Sequence, residues 1–153
     1  MTAKKELLQV SAVENGTVID HIPARKLFDV INVLGIASCD NTITFGNNLA
    51  SRKLGKKAIV KISDRYLVDE EIDKLALVAP SAKINIIRNF EVVEKKTVNV
   101  PRRVEGIARC VNPQCITNHQ NVRTRFDVVG STPIVLRCLY CEKLTDQEHI
   151  EIL

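Results

Sequence analysis

The sequence has few aromatic side chains and no tryptophan: Phe, Tyr and Trp together make up 4% of its 153 residues. Proteins that bind single-stranded RNA on a β-sheet stack the bases on aromatic side chains of the central strands. No segment that we expect to form a central strand carries an aromatic pair. The composition therefore disfavours an RNA-binding sheet.

Long apolar runs and a strong excess of one charge are also missing. The apolar runs are only a few residues long, whereas a membrane-spanning helix needs roughly 20, and "MTAKKELLQV" has no apolar stretch typical of a secretory signal. The net charge of +4 is mild and no half of the chain is a polycation, so charge does not indicate a nucleic-acid or membrane partner. We expect a cytoplasmic protein, in which disulfides are rare and clustered cysteines are more often metal ligands.

Motifs that would indicate catalysis are absent as well. The sequence has no glycine-rich phosphate loop of known spacing, no His-Glu-x-x-His and no nucleophile elbow. Asp20 beside His21 in "GTVIDHIP" is the one suggestive pair, but it lacks a nucleophile or an open metal position. The pair could cap the following helix or bind a ligand. We expect no catalytic site.

Hydrophobic periodicity over residues 1–100 predicts the element order βαββαβ. Alternation predicts one interrupted strand in "LLQVSAV" and "GTVID", strands in "TITFGNNL" and "KKAIVKIS", and one long strand in "KINIIRNFEVVEKKTVNV". Helical spacing predicts a helix in "HIPARKLFDVINVLG" that ends at Gly35, and another from near Asp69 to before Pro80. This order is that of a ferredoxin-like α+β fold, an antiparallel sheet with two helices on one face.

A hinge is predicted in "NVPRRVEG" at 99–106, which combines proline, charge and glycine. It separates a domain of residues 1–100 from a smaller one of residues 101–153. The smaller segment has strand-like stretches in "VRTRFDVVG" and "TPIVLRC" and few large apolar side chains. A core of that size needs extra stabilisation.

Four of the five cysteines form two close pairs behind this hinge. Cys110 and Cys115 are followed, after 22 residues, by Cys138 and Cys141. Two such pairs joined by strands are typical of a small zinc-binding β-domain, in which each tight turn supplies two of four tetrahedral ligands. Four thiolates leave no open position, so we predict one structural Zn²⁺ whose binding contributes to folding.

Other roles for the sulfur and imidazole groups are weaker. His119 and His149 could replace a cysteine ligand, but four cysteines already complete the site, and we interpret both as ordinary surface histidines. Cys39 has no neighbouring cysteine and is interpreted as a small buried hydrophobic residue. A redox role for "CLYC" fits poorly, because such a motif should open a helix after a βαβ strand.

Two lysines of the predicted sheet have an open interpretation. Alternation puts Lys61 on the face away from the helices, and it places Lys95 on one face with Glu91 and Val93. Solvated strand charges are the ordinary interpretation of such residues. The alternative is that the two lysines clamp a polyphosphate while Asp20 or backbone groups recognise a ribose or base.

"GTVIDHIPA" at 16–24, the βαββαβ order and the Cys-x4-Cys and Cys-x2-Cys-Glu-Lys motifs at 110–143 together resemble the regulatory chain of aspartate carbamoyltransferase. The resemblance runs from about residue 8 to the C-terminus. It implies a non-catalytic chain whose N-terminal domain binds CTP, with UTP in some members, as inhibitor and ATP as activator. It further implies that the zinc domain docks on the catalytic chain, and that three regulatory homodimers link two catalytic trimers into a dodecamer of pyrimidine biosynthesis.

The same resemblance implies site residues, position by position. The effector site would comprise Val10, Val13, Asp20, His21, Lys61, Asn85, Val92 and Lys95. In the family the two lysines hold the triphosphate and the aspartate grips the ribose. Val92 faces away from Lys95 in a regular strand, so we expect it to act through its backbone. Asn112 would contact the catalytic chain.

Four positions depart from the family pattern. Leu7 replaces a basic residue, Ser11 an acidic one, Phe90 a tyrosine and Gln114 an asparagine. These departures leave the balance between CTP and ATP open. The competing hypothesis is a zinc-ribbon nucleic-acid-binding protein, which the scarcity of aromatic residues disfavours.

Overall fold

The computed structural model describes residues 12–153. Val10, together with Leu7, Ser11 and most of "LLQVSAV", lies outside the described residues. Within residues 12–153, no helix is both long and apolar enough to cross a membrane.

The N-terminal domain is built on a five-stranded antiparallel sheet. The strand order is β2-β3-β1-β4-β5, so β1 lies in the middle, as the ferredoxin-like prediction requires. The strands are β1 (Gly16–Pro23), β2 (Ile43–Ser51), β3 (Gly55–Ser63), β4 (Lys83–Arg88) and β5 (Glu91–Thr97). Gly16 cannot be replaced without strain, because a Cβ at its φ of +145° would lie 2.0 Å from the carbonyl oxygen of Ile62.

Two helices cover one face of this sheet. A 3₁₀ turn at Ala24–Lys26 leads into α1 (Leu27–Val33), and α2 spans Asp69–Val78. Gly35 follows α1 with a left-handed φ of 62°, which is the stop that the sequence predicts. The core between helices and sheet is made of fully buried aliphatic residues such as Ile19, Val30, Val60, Ile62 and Leu75.

The prediction of one long strand over residues 83–100 is wrong. The segment folds back as a hairpin of β4 and β5. Asn89 and Phe90 at its tip both have positive φ, 52° and 64°, the backbone that a tight two-residue hairpin turn requires. Asn89 tolerates this conformation readily, and its N–H is held by the Asn15 side chain at 3.2 Å.

The C-terminal domain consists of small antiparallel sheets around a second core. Strands β6 (Arg103–Glu105), β8 (Arg125–Ser131), β9 (Ile134–Cys138) and β10 (Leu144–Asp146) pair in the order β10-β9-β8-β6. A two-stranded sheet joins β7 (Ala108–Arg109) to β11 (Glu151–Ile152). The core contains Phe126, Ile134 and Leu136 with the cysteines. The overall α+β class with two domains is confirmed.

One helix contributes to both cores. Leu75 of α2 is buried in the first core, as its helical spacing predicts. Leu77, two residues later on the same helix, is 1% exposed and is buried in the second core among residues such as Val104 and Ile107. Val100 in the predicted hinge packs against both cores. The domains are therefore joined by a buried apolar contact as well as by the chain.

Candidate metal centre and ligand cavity

The four predicted cysteine ligands converge in the C-terminal domain. All four Sγ atoms lie within 4.8 Å of one another, and three of the four residues are buried. The Sγ–Sγ distances are 3.6 Å for Cys110–Cys141 and 3.7 Å for Cys115–Cys138. The edge of a tetrahedron of sulfurs about 2.3 Å from a metal is about 3.8 Å. The cluster can therefore hold one tetrahedral structural metal.

The protein environment sets the protonation of these thiols. Burial raises the pKa of Cys110 to about 12 and also raises the pKa of Cys138. Burial acts in the same direction on Cys141, but hydrogen bonds from the Lys143 backbone and the Asn112 side chain outweigh it and lower the pKa to about 7. Three buried thiolates in an apolar core would repel one another, so a cation must compensate their charge.

The two histidines considered as substitute ligands, His119 and His149, form other contacts. His119 Nε2 lies 2.7 Å from the carbonyl oxygen of Pro113, and His149 Nδ1 lies 2.5 Å from the carboxylate of Asp146. Cys39 is partly buried against the first core, far along the chain from the cluster. Asn112 binds within the cysteine loop: its side chain accepts the Gln114 N–H at 3.0 Å.

The open face of the N-terminal sheet carries a cavity of about 500 Å³. Five of the eight expected effector residues line it: Asp20, His21, Asn85, Val92 and Lys95. Val13 is buried and does not line it, and Val10 is not described. Lys61 is 3% exposed and is likewise not among the lining residues.

Lys61 and Lys95 lie in one row across the sheet but far apart. Lys61 pairs with Val18, Val18 with Asn85, and Asn85 with Lys95. Three strand spacings separate their Cα atoms by about 14 Å. Burial lowers the pKa of Lys61, and the Asp20 charge opposes that shift. Lys61 is thus not a solvated strand charge.

β-Bulges determine which side chains of the sheet face the cavity. An irregularity between Ile86 and Ile87 brings Val92 opposite Ile87, while Lys95 remains opposite Asn85. Val92 and Lys95 therefore share the cavity face, contrary to the expectation for a regular strand. The prediction that Lys95 shares a face with Glu91 is wrong, because Glu91 pairs with Arg88, which lies on the other face of β4 from Asn85.

A second bulge shapes the Asp20–His21 end. Ile19 pairs with Val60 and Ile22 with Ala58, so two residues of β1 oppose one of β3. His21 consequently has a φ of 59°. Asp20 does not cap the following turn: its carboxylate accepts the His21 N–H at 2.6 Å and lies 3.1 Å from Lys57 Nζ. The helix-capping interpretation is wrong.

The surroundings of His21 favour its neutral form. Partial burial lowers its pKa; the Asp20 charge raises it, and the charges of Lys57, Lys83 and Lys53 lower it again. Its Nδ1 is buried and has no hydrogen-bond partner among the described residues. An anion placed in the cavity would reverse the effect of the lysines and favour protonation.

Four further basic residues line the cavity that the sequence did not predict. Arg52, Lys53, Lys57 and Lys83 all line the cavity. Lys57 could have been found by alternation, because it is four residues before Lys61 on the same face. Lys83 required the pairing of β4 with β1, in which it lies opposite Asp20, and a single sequence does not contain that register.

These features define a class of protein: a sheet domain with a basic cavity, joined by a buried contact to a small β-domain whose four clustered cysteines can hold a metal. Comparison with known proteins gives the family. The family model for the aspartate carbamoyltransferase regulatory chain, allosteric domain, matches residues 8–99, and the model for its metal binding domain matches residues 102–151.

Individual relatives agree over the whole length. The aspartate carbamoyltransferase regulatory chain of Phocaeicola vulgatus is 52% identical over 153 residues, which cover 100% of this chain and 99% of the relative. That of Pyrococcus horikoshii is 50% identical over 145 residues, 94% of this chain and 95% of the relative. The chain belongs to the family of aspartate carbamoyltransferase regulatory chains, which are non-catalytic.

Proposed function

We propose that this chain is the allosteric subunit of an aspartate carbamoyltransferase of pyrimidine biosynthesis, binding CTP and UTP as inhibitors and ATP as activator. The observation that carries the proposal is the cavity on the open sheet face. Among the residues that the structure describes, five basic side chains and one carboxylate, Asp20, line it, and Val18, Ile59 and Ile87 form an apolar cluster beneath it. Charge for phosphates and apolar surface for a base are what a nucleotide requires.

The effector residues in this proposal are Val10, Val13, Asp20, His21, Lys61, Asn85, Val92 and Lys95. Asp20 accepts hydrogen bonds and so suits ribose hydroxyls, and Lys95 is an exposed cation on the cavity wall. Domain one is placed at residues 1–100 and domain two at 101–153, with the effector site wholly in domain one.

The metal in domain two is proposed to be one structural zinc ion. Four thiolates at tetrahedral spacing are the donor set that zinc prefers in structural sites. The ligands would be Cys110, Cys115, Cys138 and Cys141, whose Sγ distances fit. The ion would supply folding free energy to a small core and no chemistry, since no coordination position is open.

The metal-binding loops also support docking on the catalytic chain. Each cysteine turn presents large apolar residues to solvent next to a buried ligand: Val111, Ile116, Leu139 and Tyr140 are 38%, 44%, 37% and 42% exposed. Several large apolar side chains exposed on two neighbouring turns are typical of a protein interface. Asn112 lies within the same loop and would add a polar contact.

A second copy of the chain is proposed to pair through the N-terminal domain. Phe28 and Phe45 are 63% and 49% exposed and contact each other edge to face, with centroids 6.4 Å apart. Phe45 lies on β2, one of the two edge strands of the sheet. An aromatic pair beside a strand edge suits a homodimer interface, and three such dimers would link two catalytic trimers.

Reconstitution with the catalytic chain tests the function directly. The chain is mixed with purified catalytic trimers, the assembly is sized, and carbamoyltransferase activity is measured with and without CTP, UTP or ATP. Lys95→Ala should weaken nucleotide binding by about tenfold or more, since a charge-assisted contact is lost. Lys96→Ala, whose lysine pairs with Glu94 at 3.8 Å, is the matched control. A complex that assembles but ignores all three nucleotides would refute the effector role.

A further inference from the structure

The charge of the cavity is largely uncompensated. Arg52, Lys53, Lys83 and Lys95 line it, and none of them forms an ion pair within the described part of the chain. Lys57 lies 3.1 Å from Asp20, which is the one carboxylate of the lining within residues 12–153. The five basic groups and one carboxylate among these described residues give an excess of four positive charges around a space of about 500 Å³.

Strand register places Lys83 between Asp20 and Lys95. Lys83 is the direct partner of Asp20 on β1 and of Thr97 on β5, while Lys95 pairs with Asn85. Lys83 and Lys95 are therefore diagonal neighbours on one face, with Cα atoms roughly 7–8 Å apart. That is half the separation of about 14 Å between Lys61 and Lys95, so two ammonium groups of β4 and β5 can reach one phosphate chain.

The β2–β3 hairpin brings the remaining charge to the same end. Arg52 and Lys53 lie at its exposed tip, where Gly55 has a left-handed φ of 76° and the Ser51 hydroxyl accepts the Leu54 N–H at 3.2 Å. Both side chains line the cavity. The charges of Lys53 and Lys83 both act on the His21 ring, so the two lysines approach the same corner from different strands.

We propose that Lys83 is the partner of Lys95 in gripping the polyphosphate, and that Lys83 with the Arg52–Lys53 tip makes the cavity select nucleoside triphosphates over monophosphates. This inference rests on the proposed nucleotide-binding function. A nucleoside monophosphate carries about two negative charges at neutral pH, and each further phosphate adds another. The uncompensated charge of the lining is best matched by a triphosphate, whose terminal phosphates extend beyond Asp20 to Lys83 and the hairpin tip.

Calorimetry with cytidine mono-, di- and triphosphate on the full-length chain tests whether these residues select the triphosphate. Lys83→Gln should weaken binding of the triphosphate by about tenfold or more and of the monophosphate by less than about threefold. Arg52→Gln with Lys53→Gln should reduce triphosphate affinity in the same selective way, and should flatten its dependence on salt. Lys56→Gln is the matched control, because Lys56 is exposed in the same hairpin but does not line the cavity.

Failure of the triphosphate selectivity and failure of nucleotide binding itself would give different results. Equal losses for all three nucleotides, or no loss in either variant while the wild-type chain binds the triphosphate, would overturn the selective role and leave the effector site intact. A wild-type chain that binds no cytidine or adenosine nucleotide would overturn both. Because all three substituted side chains are exposed, circular dichroism and thermal unfolding should match the wild type.

Discussion

Leu77 offers a direct test of how the two domains are joined. It belongs to α2 of the N-terminal domain, yet it is 1% exposed within the core of the metal-binding domain. Leu75, on the same helix, is fully buried in the first core. The pair allows the same substitution to be made in each core from one helix.

Leu77→Ala should cost about 3 kcal/mol, because it removes the transfer free energy of a fully buried side chain and leaves a cavity between two domains. Because the second core is small, a loss of this size is a large fraction of the free energy of unfolding of that domain. We therefore expect faster metal release to a chelator and an earlier urea transition of residues 101–153. Leu75→Ala should cost a similar amount but act on the sheet domain, leaving metal release nearly unchanged.

The assay is urea unfolding followed by far-UV circular dichroism and by a chromophoric metal indicator, so that the two domains report separately. A cost below about 1 kcal/mol for Leu77→Ala, with unchanged metal release, would refute the shared core, since a fully buried leucine costs more than that to truncate. Equal effects of the two variants on metal release would also contradict it, since only one of the two leucines contacts the second core.

Three further predictions concern the metal, the hinge and pH. Cys138→Ser should remove the metal and unfold residues 101–153, because a ligand from the cluster is lost; metal analysis and loss of assembly check it, and Cys39→Ser is the control. Pro101→Gly should leave effector affinity and assembly nearly intact but weaken their coupling, measured as the change in activity that CTP causes. Burial lowers the pKa of His21, and a bound anion should raise it. Nucleotide binding should therefore be linked to proton uptake by His21 at acidic pH. Calorimetry in buffers of different ionisation enthalpy should show less proton uptake in His21→Asn than in the wild type, for the same nucleotide.

The elements predicted correctly, among them β3, α2 and the cysteine cluster, are those that local sequence patterns specify. Alternation identified β3 and the face of Lys61, because a regular strand repeats every two residues. Helical spacing identified α2 and the burial of Leu75. The cysteine spacing identified the metal cluster without any knowledge of the sheets, since each turn delivers its own pair of ligands.

The features that depend on contacts between distant segments could not be predicted from the sequence. The bulges at Asp20–His21 and near Val92 each insert an extra residue into one strand, which reverses the face of every later residue in that strand. The hairpin at Asn89 and Phe90 had a local signal in the asparagine, but its neighbours continue the strand pattern on both sides. Leu77 lies off the main apolar stripe of its helix, and only the position of the second domain explains its burial.

The route between the cavity and the metal domain is short. Lys83 on the cavity wall is six residues after Leu77 in the second core. The intervening turn is held by an Ala82 N–H bond to the Ala79 carbonyl at 3.0 Å, and the Ser81 hydroxyl donates to the His21 carbonyl at 2.9 Å. Coupling between sites requires that a ligand stabilise one arrangement more than another. Under the proposed function, an anion that draws Lys83 and the β2–β3 hairpin together would act at one end of a segment whose other end, Leu77, is buried in the core of the metal-binding domain.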